Sequence, residues 1–379
     1  MNQLLEDQYE RLFRTRPSFL TKAPGRVNLI GEHTDYNEGF VLPMAIDRSV
    51  QIALRPRKDQ HVVVHSLEFQ ETVEFDVTRL TKGNGWGEFI KGAAWAMEKE
   101  GRFLTGWNGV MTGNVPPGAG LSSSSAVTMA AILAFSSAGG HEMEPVTAAH
   151  LGHIAEDQWI GVHGGIMDQM VSMLSQPGHA LFLDCRSSEF EQIPLPRGVM
   201  VAILDTGTRR DLVNSAYNDR RRECEEAARA LGVRSLRDMD EAKFASLATR
   251  LDEVTRRRAR HVITENRRVL EAVKAMREGD AVTLGSLLDA SHASLRDDFE
   301  VSSAPLNTIV DDARQQPGCL GARLTGAGFA GCAIALVDQE KCPPFADKVK
   351  EKYFNITGKK PSIFLTRAAR GAKTMCLTI

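Results

Sequence analysis

At 379 residues, with 42% hydrophobic and 25% charged residues, the chain is too long for one compact core and suits two domains of a soluble globular protein. Its 46 Lys and Arg against 48 Asp and Glu leave a formal net charge of -2, which gives no pull towards nucleic acid or an anionic membrane. The six cysteines are scattered without a C-x-x-C pair, so neither a zinc site nor a redox dithiol has support, and reduced thiols of a cytoplasmic protein are expected.

The opening segment mixes charges of both signs and carries Leu4, Leu5, Tyr9, Leu12 and Phe13 at helical spacing, without the unbroken apolar stretch of a signal peptide. No later window approaches the roughly 18 apolar residues of a membrane span. Short Val-, Ile- and Phe-rich runs bounded by turn residues predict strands over 27–30, 40–46, 50–54, 61–65 and 72–75. A helix is expected over 86–100, with Phe89, Ile90, Ala93, Ala94 and Met97 on one side. A strand over 109–112 leads into Gly-Asn-Val-Pro-Pro-Gly-Ala-Gly-Leu and four serines, followed by a buried helix over 126–135 and another near 148–159.

The sequence Ile-Pro-Leu-Pro-Arg-Gly at 193–198 interrupts both periods and is the expected boundary between domains 1–195 and 196–379. Beyond it we expect a strand over 199–205, helices over 216–231, 260–278 and 281–294, and strands over 333–337 and 361–365. Arg221/Glu225 and Arg222/Glu226, at i,i+4 spacing, read as solvated helix pairs. The class is α+β, two domains, with mixed or antiparallel sheets packed against helices.

Three segments carry chemistry. Gly118, Ala119, Gly120, Leu121 and the serines Ser122, Ser123, Ser124 and Ser125 stand between a strand and an apolar helix. Small residues let backbone approach a phosphate, and free N–H groups at a helix start attract an anion. The loop lacks the lysine of a Walker A sequence, which disfavours the P-loop fold. A second loop, Gly326 to Gly331, matches G-x-G-x-x-G, but the strand-like residues after it argue against a dinucleotide fingerprint, which opens a helix. It reads as a tight turn or a loop closing over a ligand. The third segment, a polar loop at 31–39 holding Glu32, His33 and Asp35, is either a solvated turn or a site for a polyhydroxylated ligand. His33 has no companion at zinc-ligand spacing.

In family order, APGRVNLIGEHTDYNEGFVLP, GNVPPGAGLSSSSA, GGIMDQ, HASLRDDFEVS and LTGAGFAGC resemble motifs of the GHMP kinases, the first of them the signature of the galactokinases in particular. The likeness extends over nearly the whole chain. It implies a two-domain GHMP-kinase-like fold with the active site between the domains. The implied reaction moves the γ-phosphoryl group of ATP to the anomeric hydroxyl of D-galactose, giving α-D-galactose 1-phosphate. It also implies roles. Glu32, His33, Thr34 and Asp35 would hold the sugar, with Gly165, Asp168 and Tyr217. Gly118, Ala119, Gly120, Leu121, Ser122, Ser123 and Ser124 would wrap the ATP phosphates, Trp86 would lie near adenine, and Ser124 and Glu156 would serve Mg²⁺. Arg26 and Asp168 would be the catalytic pair; read alone, they are any ion pair, and Trp86 is equally a core aromatic. Two departures stand out: Ala327 and Ala330 replace glycines of the third motif, where they are expected to stiffen or displace the loop by resisting positive φ, and Ser125 replaces an alanine. Relatives acting on N-acetylgalactosamine or arabinose remain alternatives, as does a galactose- and ATP-binding sensor, although such sensors have a shortened serine loop.

Overall fold

The apolar runs of the N-terminal half pair into a six-stranded sheet in the computed structural model, which describes residues 2–209 and 213–377. The order is Lys373–Cys376, Phe19–Asn28, Pro43–Pro56, Trp107–Gly113, His61–Ser66 and Glu71–Asp76, antiparallel throughout except between His61–Ser66 and Trp107–Gly113. Helix Ser123–Ala138 is apolar on nearly all sides, so it has no face to offer water and lies buried against this sheet. Thr21 Oγ1 donates to the Ala130 carbonyl at 3.0 Å and pins it there. Helices Gly87–Lys99, Pro145–Ile154 and Met167–Leu174 surround it.

A four-stranded antiparallel sheet, ordered Cys319–Leu324, Cys332–Asp338, Val199–Asp205 and Ser362–Thr366, forms the second half with helices Val213–Leu231, Glu253–Glu278, Ala281–Asp297, Ala304–Arg314 and Cys342–Thr357. Strands Phe40–Val41, His179–Asp184 and Phe190–Pro194 make a small third sheet. One apolar cluster fills the N-terminal half around Trp107, Met129 and Phe135, and a second centres on Leu204, Phe299 and Tyr353. A third joins Val27, Leu29 and Ile30 to Val201, Ile203 and Ile334, so the two halves share a dry seam. Among the described residues, no helix is long and apolar enough to cross a membrane.

Several elements differ from the sequence expectations. The strands expected over 40–46 and 50–54 merge for the most part into Pro43–Pro56, because the polar residues between them find partners on the second sheet and just past strand Trp107–Gly113. Thr366 Oγ1 donates to Asp47 at 2.9 Å, Arg48 lies 3.9 Å over the Phe364 ring, and Ser49 N donates to Asn114 at 2.8 Å. The strand expected over 27–30 is Phe19–Asn28, running through Pro24 and Gly25 by a shift of register. The helix near 148–159 is Pro145–Ile154 followed by a π-helical turn, Ala155–Ile160. Helices Met167–Leu174, Glu241–Leu247, Ala304–Arg314 and Cys342–Thr357 and strands His179–Asp184, Phe190–Pro194, Cys319–Leu324 and Lys373–Cys376 were not expected. Arg221 and Arg222 do pair with Glu225 and Glu226, and Arg221 also donates to the His163 carbonyl at 2.8 Å.

Candidate active site

The register shift at Pro24 and Gly25 aims Arg26. A Cβ on Gly25 would lie 2.7 Å from the Leu121 carbonyl, and that closeness lets Arg26 N donate to the same oxygen at 3.0 Å. The nearly buried guanidinium grips Asp168 at two points, Nε to Oδ1 and Nη2 to Oδ2, both at 2.7 Å, while Nη1 donates to the Gly120 carbonyl at 2.6 Å. Burial opposes the Arg26 charge, but Asp168 and Glu32 outweigh it and raise its pKa. Asp168 stands in the first turn of Met167–Leu174, and Ser172 Oγ of that helix donates to the Pro24 carbonyl at 2.9 Å. Ser122, in left-handed conformation at the cap of Ser123–Ala138, donates its hydroxyl to Asp168 Oδ2. The loop 118–125 and the Arg26–Asp168 pair are therefore one assembly.

On one side of Asp168 opens a cavity lined by Arg26, Glu32, His33, Asp35, Gly165 and Tyr217, among others. Glu32 is buried and receives Asn28 Nδ2 at 3.0 Å, Thr325 Oγ1 at 3.2 Å and Gly326 N at 2.6 Å. Burial raises its pKa, against the pull of Arg323 and Arg26. His33 has φ 62, shares a hydrogen bond of 2.9 Å between Nδ1 and the Tyr36 hydroxyl, and leaves Nε2 buried without a partner. Burial, followed by the nearby His261, pushes its pKa down to about 3, so the ring is neutral. Asp35 accepts from Gly165 N at 3.1 Å; a Cβ on Gly165 would lie 2.5 Å from the same carboxylate. Burial and then Asp168 raise Asp35 to about 6. Thr34 stands apart: its buried hydroxyl reaches the Gly31 and Phe40 carbonyls and braces the loop, and it does not line the cavity.

On the other side, Ser124 borders both this cavity and a second one walled by Phe69, Trp86, Phe89, Met111, Pro117 and Gly118. Trp86 stacks parallel to Phe69 with ring centroids 6.0 Å apart, and its Nε1 donates to Glu71 at 3.1 Å. The π-helical turn carries Glu156 into the first cavity with Oε1 buried and unpartnered. Burial sets its carboxyl at about 7, with the nearby Asp168 charge pushing the same way. Ala119 is fully buried under the third-motif loop: a Cβ on Gly331 would lie 2.7 Å from its carbonyl, and one on Gly326 would lie 2.8 Å from that of Gly120. In that loop the positive φ values fall on Gly326, Gly328, Phe329 and Gly331. Ala327 and Ala330 keep negative φ, so the stiffening expected of them has no conformational basis. Sequence reasoning missed Asn28, Thr325, His153, Gln169 and Phe69; each is an ordinary residue whose place at the site is fixed by distant strands and helices.

The galactokinase galactose-binding signature matches residues 7–56, the N-terminal domain of the GHMP kinases matches 88–176, and their C-terminal domain matches 272–355. A galactokinase of Roseiflexus sp. is 40% identical over 97% of this chain and 95% of its own, and one of Chloroflexus aggregans is 41% identical over 96% and 95%. The crystal structure of Lactococcus lactis galactokinase complexed with galactose superposes with a TM-score of 0.94 at 33% identity, covering 98% of this chain and 99% of that one. A mevalonate kinase structure, 18% identical with a TM-score of 0.66 over 93% and 99%, shares the fold. The chain is a GHMP kinase by sequence and fold, and within that class it belongs to the galactokinase family. It is an ATP-dependent phosphotransferase acting on small molecules.

Proposed function

We propose that the chain transfers the γ-phosphoryl group of ATP to the anomeric hydroxyl of D-galactose, giving α-D-galactose 1-phosphate. The observation that carries this is Asp168, gripped by Arg26, bonded to Ser122 of the phosphate loop, and open to the cavity of Glu32, His33, Asp35 and Tyr217. Donor and acceptor thus meet at one carboxylate. The Lactococcus lactis enzyme, solved with galactose, supports the choice of sugar.

In this reading Asp168 takes the proton of the anomeric hydroxyl as the hydroxyl oxygen attacks the γ-phosphorus and the bond from that phosphorus to the bridging oxygen of ADP breaks, so that ADP leaves. Arg26 holds that carboxylate at two points and offsets charge on the moving phosphoryl oxygens. Asp35 and Glu32 accept sugar hydroxyls, and Tyr217 and neutral His33 complete the wall. Gly118 to Ser124 bind the phosphates, and Trp86 packs against the base. The fit of Mg²⁺ rests on Glu156, whose Oε1 is buried without a partner, and on Ser124, which borders both cavities. These two residues would hold the ion, which typically keeps few protein ligands beside water and phosphates and would neutralise charge on the nucleotide. A cytoplasmic location belongs to the same reading, supported by the six free cysteines. So does the division into 1–195 and 196–379, supported by separate apolar clusters, although strand Lys373–Cys376 returns to the first sheet.

The test is the product formed from galactose and ATP, identified by ³¹P and ¹³C NMR. An α-1-phosphate is expected. Phosphorylation at another position, or preference for N-acetylgalactosamine or arabinose over galactose, would overturn the assignment.

A further inference from the structure

We propose that His261, Glu265 and Asn266, on one face of helix Glu253–Glu278, are positioning residues that hold the sugar loop 31–40 from behind and thereby set affinity for the acceptor sugar. The proposal rests on the assignment of that loop to the sugar.

The three side chains stand at i, i+4 and i+5, all nine-tenths buried or more, and none lines either cavity. Each takes one backbone group of the loop. His261 Nε2 bonds to the Glu32 carbonyl at 3.0 Å, Gly31 N donates to Glu265 Oε1 at 3.0 Å, and Phe40 N donates to Asn266 Oδ1 at 2.8 Å. The last two close the base of the loop, where Thr34 Oγ1 also ties Gly31 to Phe40. Ser291 Oγ and Arg268 Nε fix Glu265 in turn, each at 2.6 Å. Burial works against its charge, but Arg268, His261 and Arg323 hold its pKa down to about 2, so it stays an acceptor.

His261 has the most direct hold on the site. Burial lowers its pKa to about 4, so the ring is neutral, and with Nε2–H given to the Glu32 carbonyl, Nδ1 accepts from Ser294 Oγ at 2.9 Å. That carbonyl belongs to the peptide entering His33, the cavity residue held at φ 62. A non-glycine residue keeps such a φ only when its surroundings enforce it. Phe299 packs between the two rings, 4.6 Å from His261 and 4.7 Å from His33, and closes the remaining freedom. Without the His261 bond, the 32–33 peptide is free to turn, taking the Glu32 and His33 side chains away from the sugar. Only a fraction of molecules would then be competent to bind it, and apparent affinity falls by that fraction.

The experiment compares steady-state kinetics of the wild type, His261→Leu and His261→Gln on galactose and ATP. Leucine removes the donor, and the amide nitrogen of glutamine supplies one at similar reach. For His261→Leu, KM for galactose is expected to rise by about tenfold or more, the size of one lost buried hydrogen bond, with KM for ATP and kcat within about threefold. His261→Gln is expected to restore most of the galactose affinity. If His261→Leu does not fold, Asn266→Ala decides on the same readout, since it deletes the acceptor at the other end of the loop. An unchanged KM for galactose overturns the proposal. So does a loss spread evenly over both substrates and kcat, which marks general structural support. If the wild type itself fails to phosphorylate galactose, it is the functional assignment beneath the proposal that fails.

Discussion

Replacing Asp35 by asparagine sets stability against function. The folded protein raises the Asp35 pKa from 3.8 to about 6, first by burial and then by the charge of Asp168. A carboxyl with a folded pKa above its unfolded value binds its proton more tightly in the folded state. Stability therefore falls as pH rises from about 4 through about 6, and stays reduced above. At 1.36 kcal/mol per pH unit, the gap puts about 3 kcal/mol against the fold at pH 7. Asp35 is only partly enclosed at the cavity wall, so solvent screens some of this, and about 1–3 kcal/mol is the expected gain for Asp35→Asn. The Gly165 N–H keeps an acceptor in the amide oxygen. Thermal or urea unfolding at pH 7 should show the variant as more stable, with the advantage shrinking towards pH 4. Its KM for galactose should rise by about tenfold to a hundredfold, since hydrogen bonds to a charged partner contribute about 1.5–3 kcal/mol. A variant no more stable at pH 7 than the wild type, or an advantage that persists undiminished at pH 4, refutes the electrostatic reasoning.

Other expectations follow from the same geometry. Asp168→Asn should lower kcat by about 10²–10⁴ with galactose still bound in calorimetry; a kcat within about threefold of wild type makes the residue positional and not the base. Arg26→Lys keeps the charge but loses the two-point grip on Asp168, so an intermediate fall in kcat is expected in the same assay. For Glu156→Gln, titration of activity with Mg²⁺ should show a higher half-saturating concentration while galactose binding is retained; an unchanged titration removes Glu156 from the ion's site. Trp86→Ala should raise KM for ATP by roughly tenfold, in line with about 1–3 kcal/mol for stacking against a base, without altering KM for galactose.

What the sequence made legible was local. Helix Ser123–Ala138 stands out because it has no polar face, and the loop before it because glycine and serine crowd together. Elements that depend on distant partners were hidden. Strand Cys319–Leu324 carries Gly321 and Arg323, which spoil a strand pattern, yet Arg323 is fully buried and Nη1 donates to the Leu29 carbonyl at 2.8 Å. Asp47, Arg48 and Ser49 read as a turn because their partners Thr366, Phe364 and Asn114 lie far away in the chain. At the site, Arg26 and Asp168 were picked out by resemblance alone, since 142 residues separate a pair that only the fold brings together. The bond from His261 to Glu32 spans 229 residues and left no trace in composition or spacing.

Strand Lys373–Cys376 pairs with Phe19–Lys22 on the strand that bears Arg26, and without it that strand would be an open sheet edge. On the ribosome, the first sheet therefore waits with an unpaired border until residues 373–376 have been synthesised. Completion in N-to-C order, usual for successive domains, is closed to this protein. In the interval the exposed backbone of Phe19–Lys22 is a template for stray strands, a hazard that chaperones would have to cover. Loss of the residues around Lys373–Cys376 would accordingly harm yield and solubility before it touched a single atom of Arg26 or Asp168.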